Sequence, residues 1–321
     1  MVTLSKPSLG PGAFRLFLAS LVVVQHLSRL SLGHPAVLLF FMLSGYWVCR
    51  MYAERYRVAH HGLARFYISR FLRLWPLFAL LAVVVGPLVK GYDWAELLRL
   101  LPLIGIATTG RDPLGVSWSL DIELQFYLIV PLVVAGLAGR LPLWLFVISG
   151  LAMTGVGLWL LDQHRISTAL LYLPAFLAGA LIWKYDWHPS RRLALFSAVF
   201  CGLTVVLAIL IPATRDIFIA RAHFSGAERL ALTGWTMTLL PFIAWNVHQP
   251  GGRGDRILGD LSYPVYLVHF PVIAAMKPLW DGNPDVAGKA VILVTAYGIS
   301  LAIYALVDRP LERWRKRTVG V

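Results

Sequence analysis

The chain has 321 residues, of which 58% are hydrophobic and only 14% are charged. A soluble globular domain carries about 25% charged and about 45–50% apolar residues, so this composition excludes an ordinary soluble protein. A net charge of +13 can indicate a nucleic-acid-binding protein. In such an apolar chain the charge is better explained by membrane topology, and we expect no nucleic-acid partner.

Ten apolar segments are each about long enough, at roughly 20 residues, to cross a bilayer as a helix. Together they use up the chain and leave no room for a soluble domain. The sequence therefore predicts an all-α, polytopic membrane protein with a single transmembrane domain over residues 1–321. The predicted spans are 14–32, 36–52, 72–89, 116–138, 141–161, 168–184, 193–212, 229–247, 257–277 and 287–307.

The basic residues are concentrated on one predicted side of the membrane. If the N-terminus is cytoplasmic, 19 of the 29 Lys and Arg residues fall on the cytoplasmic side, which is the positive-inside bias. An even number of spans then places both termini in the cytoplasm, and the basic side chains suit anionic lipid headgroups. These 19 residues are Lys6, Arg15, Arg50, Arg55, Arg57, Arg65, Arg70, Arg73, Arg140, Lys184, Arg191, Arg192, Arg253, Arg256, Arg309, Arg313, Arg315, Lys316 and Arg317.

Two ionisable residues, Arg15 and His26, lie inside the first apolar segment with ten residues between them. On an α-helix, eleven steps of about 100° return to within about 20° of the starting direction, so the two side chains share one face. Ionisable groups within membrane spans are costly to bury and are therefore candidates for function. The alternative for the histidine is a hydrogen bond that only joins two helices.

A basic segment precedes the third span. Arg70 and Arg73 are three residues apart and are therefore neighbours on a helix. Arginine binds phosphate groups bidentately and stays charged, so the pair suits a phosphorylated cofactor that enters from the cytoplasm. The alternative is a pair of long side chains that extend to the membrane surface and anchor the span.

The fourth span begins with a polar stripe, in which Ser119, Glu123 and Tyr127 follow one another at intervals of four residues. Glu123 lies about two turns below the predicted outer surface, at a depth similar to that of His26. A histidine oriented by a carboxylate is a common general base, and the sequence predicts that the two residues meet. The alternative for Glu123 is a structural ion pair with a neighbouring span.

Further polar groups occur in the ninth and second spans. Tyr266 and His269 are three residues apart and share one face of the ninth span; the alternative is that they only pack in the core or at the interface. Ser44 and Gly45 in the second span predict a close approach of two helices. HExxH, GxSxG and GxxxxGK[ST] motifs are absent, so hydrolysis by a metal or a serine triad is unsupported, and no metal is expected.

Taken together, these segments resemble the acyltransferase-3 family of integral membrane O-acyltransferases, in particular its stand-alone members, which carry no added extracytoplasmic hydrolase-like domain. One departure is Leu124, which stands where the family often has a second glutamate. The matching segments appear in the family's order and extend over nearly the whole chain. They are Arg15 with His26, FFMLSGYWV at 40–48, RFLRLWP at 70–76, WSLDIELQFYLIVP at 118–131, LSYPVYLVHFPV at 261–272 and VDRPLERW at 307–314.

The resemblance implies transfer of an acyl group, usually acetyl, from cytoplasmic acyl-coenzyme A (acyl-CoA) to a hydroxyl group. The implied acceptor is a cell-envelope or secreted glycan, free or lipid-linked, or a small natural product, and the implied location is the inner membrane. In this family His26 is expected to be catalytic, and Arg70 and Arg73 are linked to CoA binding. The segment from Trp118 to Glu123 is expected to line the active site.

Residue chemistry and resemblance together predict a mechanism in which His26, oriented by Glu123, deprotonates the acceptor hydroxyl. A covalent acyl relay through a protein group is an alternative that the sequence leaves open. Arg15 is expected to join the arginine pair in binding the nucleotide end of acyl-CoA. The candidates for polarising the thioester carbonyl or holding the acceptor are Trp118, Ser119, Tyr127, Tyr266 and His269.

Two other classes of protein stay open at this point. Polar residues in spans also line transport pathways, so a transporter or flippase for an envelope precursor is one alternative, although the repeated halves common in transporters are not evident. A structural subunit of a glycan-assembly complex is the other. Only the enzyme releases free CoA from acyl-CoA.

The charge distribution generates the first testable prediction, that the C-terminus at Val321 is cytoplasmic. A fluorescent reporter that matures only in the cytoplasm, fused after Val321, should be active, because the positive-inside bias orients the spans. A periplasmic phosphatase fused at the same position should be inactive, and the reverse pattern would refute the topology.

Overall fold

The computed structural model describes residues 9–139, 142–219 and 224–319. Lys6 and Arg140, two of the predicted cytoplasmic basic residues, lie outside these ranges. Within them the chain is almost entirely helical or connecting loop, and extended pairing is limited to one isolated bridge between Leu30 and Ile219.

The described residues form fifteen α-helices. Short π-helical turns at Tyr52–Tyr56 and Tyr304–Asp308 and 3₁₀ turns at Met237–Leu239 and Lys277–Trp280 adjoin them. The helices are α1 (Pro11–Leu27), α2 (Gly33–Met51), α3 (Gly62–Lys90), α4 (Trp94–Leu100), α5 (Ile106–Thr109), α6 (Trp118–Ala138), α7 (Leu143–His164), α8 (Ala169–Lys184), α9 (Arg191–Leu210), α10 (Pro212–Phe218), α11 (Gly226–Thr236), α12 (Leu240–Val247), α13 (Arg253–Met276), α14 (Val286–Ile303) and α15 (Arg309–Val319).

Among the described residues, eight helical segments are long and apolar enough to cross a membrane, and two shorter apolar helices, α1 and α8, accompany them. These ten segments correspond to the ten predicted spans. The predicted class, an all-α polytopic membrane protein, is confirmed. One predicted span, 229–247, is divided into α11 and α12 by a 3₁₀ turn.

The predicted spans leave residues 53–71 as a connection, but most of these residues are helical. The π-helical turn at Tyr52–Tyr56 continues α2, and α3 begins at Gly62 rather than near residue 72. A hydrophobic stretch predicts only the part of the helix that lies in lipid. Because Arg, Leu and Ala also favour helix formation, the helix extends beyond that stretch. Arg70 and Arg73 therefore lie well inside α3 instead of at its start.

Close packing of α2 against α8 depends on two glycines. A Cβ atom on Gly45 would lie 2.0 Å from the carbonyl oxygen of Phe176, and one on Gly179 would lie 1.9 Å from the carbonyl oxygen of Met42. The close approach predicted at Ser44-Gly45 is thus confirmed. This packing holds α2 in the position from which Ser44 donates a hydrogen bond to Glu123 of α6.

The start of α1 is held by an acidic side chain of α13. The Asp255 carboxylate accepts hydrogen bonds from the backbone N–H groups of Gly12 (3.0 Å) and Ala13 (2.8 Å). The first N–H groups of a helix have no partner within the helix, and a negative charge at this end is favourable. Further along α1, the hydroxyls of Ser20 and Tyr297 lie 2.6 Å apart and join α1 to α14. These contacts set the position of Arg15 and His26.

The packing of α2 on α8 generates a prediction for Gly45→Ala. The added methyl group meets backbone, so the helices must separate, and we expect a loss of about 1–3 kcal/mol in the free energy of unfolding. Gly202→Ala on α9 is the matched control, because nothing lies within 4 Å of its Cβ position. Thermal unfolding of the purified variants in detergent measures the difference, and equal melting temperatures would contradict the role of Gly45.

Candidate active site

A cavity of about 190 Å³, here called the arginine cavity, lies between α1, α2, α3, α6 and α13. Arg15 from α1 and Arg70 and Arg73 from α3 line it, together with Glu123 and Tyr127 from α6. Tertiary packing thus brings the three predicted cofactor-binding arginines to the polar stripe of the fourth span. Ser44, Ser119, Tyr263 and Tyr266 complete most of the polar lining.

Glu123 is held by two hydroxyl groups. Its Oε1 atom accepts hydrogen bonds from Ser44 Oγ of α2 (2.9 Å) and from Tyr127 Oη one turn along α6 (2.5 Å). A carboxylate that is partly buried is stabilised by such donors. Its contacts within the described chain are hydrogen bonds and not the structural ion pair considered from the sequence.

The two arginines of α3 have different surroundings. Arg73 Nη1 lies 3.2 Å from Asp308 Oδ1, and its guanidinium carbon lies 5.1 Å from the centre of the Tyr263 ring. Arg70 has no carboxylate partner among the described residues. Its contacts are Ser69 Oγ at 3.5 Å and the Tyr127 ring at 6.0 Å, and its buried Nε has no hydrogen-bond partner. Arg70 therefore keeps donors free for a ligand, whereas Arg73 is already paired.

Both arginines line an internal cavity. The alternative interpretation, in which they extend to the membrane surface as anchors, therefore does not describe their position in the structure. The reason is the start of α3 at Gly62, which carries Arg70 and Arg73 away from the helix end and in among α1, α6 and α13.

A second cavity of about 450 Å³, here called the histidine cavity, adjoins the first. His26 and Trp118 line it, and Val37 and Tyr266 line both cavities. The Tyr266 hydroxyl lies 2.8 Å from Ser119 Oγ and donates to the carbonyl oxygen of Val116 at 3.1 Å. The Tyr266–Ser119 pair therefore forms part of the boundary between the two cavities.

The predicted meeting of His26 and Glu123 is wrong. His26 lines the histidine cavity and Glu123 the arginine cavity, and no hydrogen bond joins them among the described contacts. The position of a residue along a helix predicts its depth in the membrane to within about one turn. It does not predict which neighbouring helix that residue faces. Packing of α6 against α2 turns Glu123 towards Ser44.

The neighbour of His26 is instead the second histidine. The His26 ring centre lies 5.3 Å from that of His269 and 4.9 Å from that of Phe270. His269 is fully buried, its Nδ1 lies 3.0 Å from the carbonyl oxygen of Val265, and its Nε2 has no partner. Donation by Nδ1–H to that carbonyl assigns the tautomer and leaves Nε2 as a free acceptor. Two imidazoles thus stand together beside the cavity.

Six polar residues that line the histidine cavity were not predicted as site residues from the sequence: Gln25, His34, Asp112, Ser167, Tyr172 and Arg229. Asp112 accepts from the backbone N–H groups of Leu114 (3.0 Å), Gly115 (2.8 Å) and Trp118 (2.9 Å) and from the Ser117 hydroxyl. Burial raises the pKa of the Asp112 carboxyl above its usual range. Two features of the sequence could have indicated some of these residues: the turn signal Asp112-Pro113 and the charged residue Arg229 at the start of a predicted span.

One group of side chains in the described chain has the composition of a metal site. Asp186, His188 and His248 each offer a ligand atom within 4.8 Å of the others. None of the three lines either cavity.

Fold and cavities thus define a polytopic membrane protein in which ionisable groups face two adjoining internal cavities. The chain belongs to the acyltransferase-3 family: the family model, described as an acyltransferase domain, matches residues 7–306. The predicted family is therefore confirmed, and the protein is a multi-pass membrane protein of an acyltransferase family.

Several characterised proteins are similar to the chain. Nodulation protein 10 of Rhizobium leguminosarum bv. viciae is 28% identical over 330 residues, which cover 89% of this chain and 84% of that protein. O-acetyltransferase OatA of Staphylococcus aureus is 25% identical over 95% of this chain, and peptidoglycan O-acetyltransferase OatA of Listeria monocytogenes is 23% identical over 88%. The chain spans only 57% and 51% of these two O-acetyltransferases. No solved structure matches it.

The unequal surroundings of the arginines predict unequal effects on stability. Arg73→Ala leaves the buried Asp308 without its partner, and we expect a loss of up to about 3–5 kcal/mol. Arg70→Ala removes a side chain without a carboxylate partner and should leave stability nearly unchanged. Thermal unfolding in detergent compares the two variants.

The double variant Arg73→Ala/Asp308→Ala is the control for this comparison. It should recover part of the stability lost in Arg73→Ala, because it leaves no unpaired charge. Equal melting temperatures for Arg70→Ala and Arg73→Ala would show that the pair with Asp308 contributes nothing.

Proposed function

We propose that this protein is an O-acyltransferase of the inner membrane that transfers an acetyl group from acetyl-CoA to a hydroxyl group of a glycan. The observation that carries the proposal is the pair of adjoining cavities, one lined by three arginines and the other by His26. O-acetyltransferases among the similar proteins support the same activity.

The arginine cavity suits the phosphate groups of CoA. Arginine binds phosphate in a bidentate manner and remains charged in a buried position. Arg73 alone of the three lining arginines forms an ion pair with a described residue, so Arg15 and Arg70 have charge and donors left for an anionic ligand. The positive-inside topology directs this end of the protein towards the cytoplasm, where acyl-CoA is made available.

The histidine cavity would hold the acceptor. His26 takes the proton of the acceptor hydroxyl as the hydroxyl oxygen bonds to the thioester carbonyl carbon. The carbon–sulfur bond then breaks, and the CoA thiolate takes the proton from the imidazolium, which gives the O-acyl product and free CoA. General-base assistance of this kind contributes typically about 10²–10⁴-fold.

The boundary between the cavities supplies a hydroxyl group for the thioester. Tyr266 lines both cavities and Ser119 lies beside it. When the Tyr266 O–H turns from the Val116 carbonyl to the thioester carbonyl oxygen, it stabilises the negative charge that develops there, and Ser119 can donate to the Tyr266 oxygen. His269, with its free Nε2, is a positioning residue for His26. Glu123 accepts hydrogen bonds from Tyr127 and Ser44 and so orients these two hydroxyl groups at the arginine cavity.

The decisive experiment is turnover by the purified protein in lipid nanodiscs. Acetyl-CoA and a mixture of glycan acceptors should yield free thiol, detected with a chromogenic disulfide, and acetylated glycan, detected by mass spectrometry. In a parallel assay with sealed proteoliposomes, acceptor movement across the membrane without release of free CoA would support a transporter and refute the proposal.

His26→Ala should lower the rate of acetyl transfer by at least about 10²-fold while CoA affinity stays the same, because the lost group is the general base and lies outside the arginine cavity. His164→Ala is the matched control, since His164 is exposed at the end of α7 and lines neither cavity. More than roughly a tenth of the wild-type rate in His26→Ala would exclude this role.

Arg70→Ala should weaken binding of CoA about ten- to a hundredfold, the equivalent of one charge-assisted contact worth about 1.5–3 kcal/mol. Arg70→Lys should restore affinity only in part, because an ammonium group cannot reproduce the bidentate fork. Arg65→Ala, which removes an exposed arginine of the same helix, serves as control. Calorimetry on the nanodisc protein measures the affinities, and unchanged binding in Arg70→Ala would rule the residue out as a CoA ligand.

A further inference from the structure

The histidine cavity carries a positive charge that the acetyl transfer described above does not use. Arg229 of α11 is the one Lys or Arg residue among the described residues that line this cavity. Its Nε donates to the carbonyl oxygen of Phe224 (3.2 Å) and its Nη1 to the hydroxyl of Tyr172 (3.2 Å). Both partners are neutral, and Arg229 forms no ion pair within the described part of the chain. Its charge is therefore held in place but not neutralised.

Asp112, the acidic residue of the same cavity, forms no ion pair with Arg229 within the described part of the chain. Asp112 directs its two carboxylate oxygens to three backbone N–H groups and to Ser117 in its own loop. A carboxylate with this many donors is already satisfied. The cavity thus presents one cation with free donors and no free anion among its described lining residues.

The remaining wall has the composition of a sugar-binding site. Trp118, Tyr172 and Phe224 line it with aromatic rings, which suit the apolar C–H face of a pyranose. His34 is only 9% exposed, and its Nε2 and the Oγ of Ser167 are both buried without a hydrogen-bond partner. Buried polar atoms are nearly always hydrogen-bonded, so these two atoms point to a ligand that supplies the missing partners.

We propose that the histidine cavity selects a sugar that carries an anionic group, a carboxylate or a phosphate, and that Arg229 binds this group. This inference rests on the proposed function for the assignment of the cavity to the acceptor. A guanidinium group binds either anion bidentately. His34 and Ser167 bind hydroxyl groups of the same sugar, and a cavity of about 450 Å³ falls within the usual range of about 300–1,000 Å³ for ligand pockets.

The test compares acidic and esterified forms of one oligosaccharide. Trigalacturonate and its trimethyl ester have the same sugar rings and differ in charge, and galactose 6-phosphate compared with galactose tests the phosphate source. Binding to the full-length protein in nanodiscs is measured by calorimetry. We expect the acidic form to bind about ten- to a hundredfold more tightly than its neutral counterpart, the value of a charge-assisted contact.

Three variants locate this preference. In Arg229→Gln the affinity ratio of acidic to neutral sugar should fall to about one, and in Arg229→Lys it should persist in part. Arg215→Gln, which removes an exposed arginine of α10 outside the cavity, should leave the ratio unchanged. CoA affinity should be the same in all three, which shows that the variants are folded.

Each result decides the inference. A preference for galactose 6-phosphate alone that requires Arg229 supports it with phosphate as the anion. Equal binding of acidic and neutral forms, a preference that survives Arg229→Gln, or binding of none of the four sugars overturns it. Wild-type protein that binds no CoA refutes the proposed function but not the Arg229-dependent preference, whereas CoA turnover without any preference refutes this inference alone.

Discussion

Three guanidinium groups must be accommodated between membrane-spanning helices, and the arrangement of the surrounding residues follows from this requirement. An unpaired buried charge costs several kcal/mol. Asp308 pairs with Arg73, and the rings of Tyr127 and Tyr263 face Arg70 and Arg73, but Arg15 and Arg70 have no ion-pair partner within the described residues. The three arginines line a cavity instead of facing lipid, which reduces this cost, and their charge is what the proposed CoA site uses.

The first helix connects this charged cavity to the site proposed for chemistry. Arg15 faces the arginine cavity, and His26, three turns further along the same face, lines the histidine cavity. The separation of about 16 Å along the helix axis is therefore the separation of the two ends of the proposed reaction path. Asp255 of α13 holds the start of α1 in place. The same helix α13 contributes Tyr266 at the boundary between the cavities and His269 beside His26.

Much of this arrangement follows from the sequence alone, because it depends on local periodicity. Apolar segments of the right length predicted the spans and the all-α membrane class. Helical spacing correctly placed Arg15 and His26 on one face of α1, and Ser119, Glu123 and Tyr127 in one stripe of α6. The order of the motifs predicted the acyltransferase family. The inferences about spans and helix faces need only the geometry of a single helix or the cost of burying polar groups in lipid, whereas the family rests on the resemblance of the motifs.

Contacts between helices were decided only by tertiary packing. The partner of Arg73 is Asp308, 235 residues away, and the neighbour of His26 is His269 rather than Glu123. Arg229 of α11 lines the histidine cavity, although in the sequence it is only the first residue of the predicted span 229–247. Helical periodicity states which residues share a face, but the rotation of each helix relative to its neighbours depends on close packing such as that of Gly45 against α8. That packing sums many contacts distant in sequence, so no local pattern encodes it.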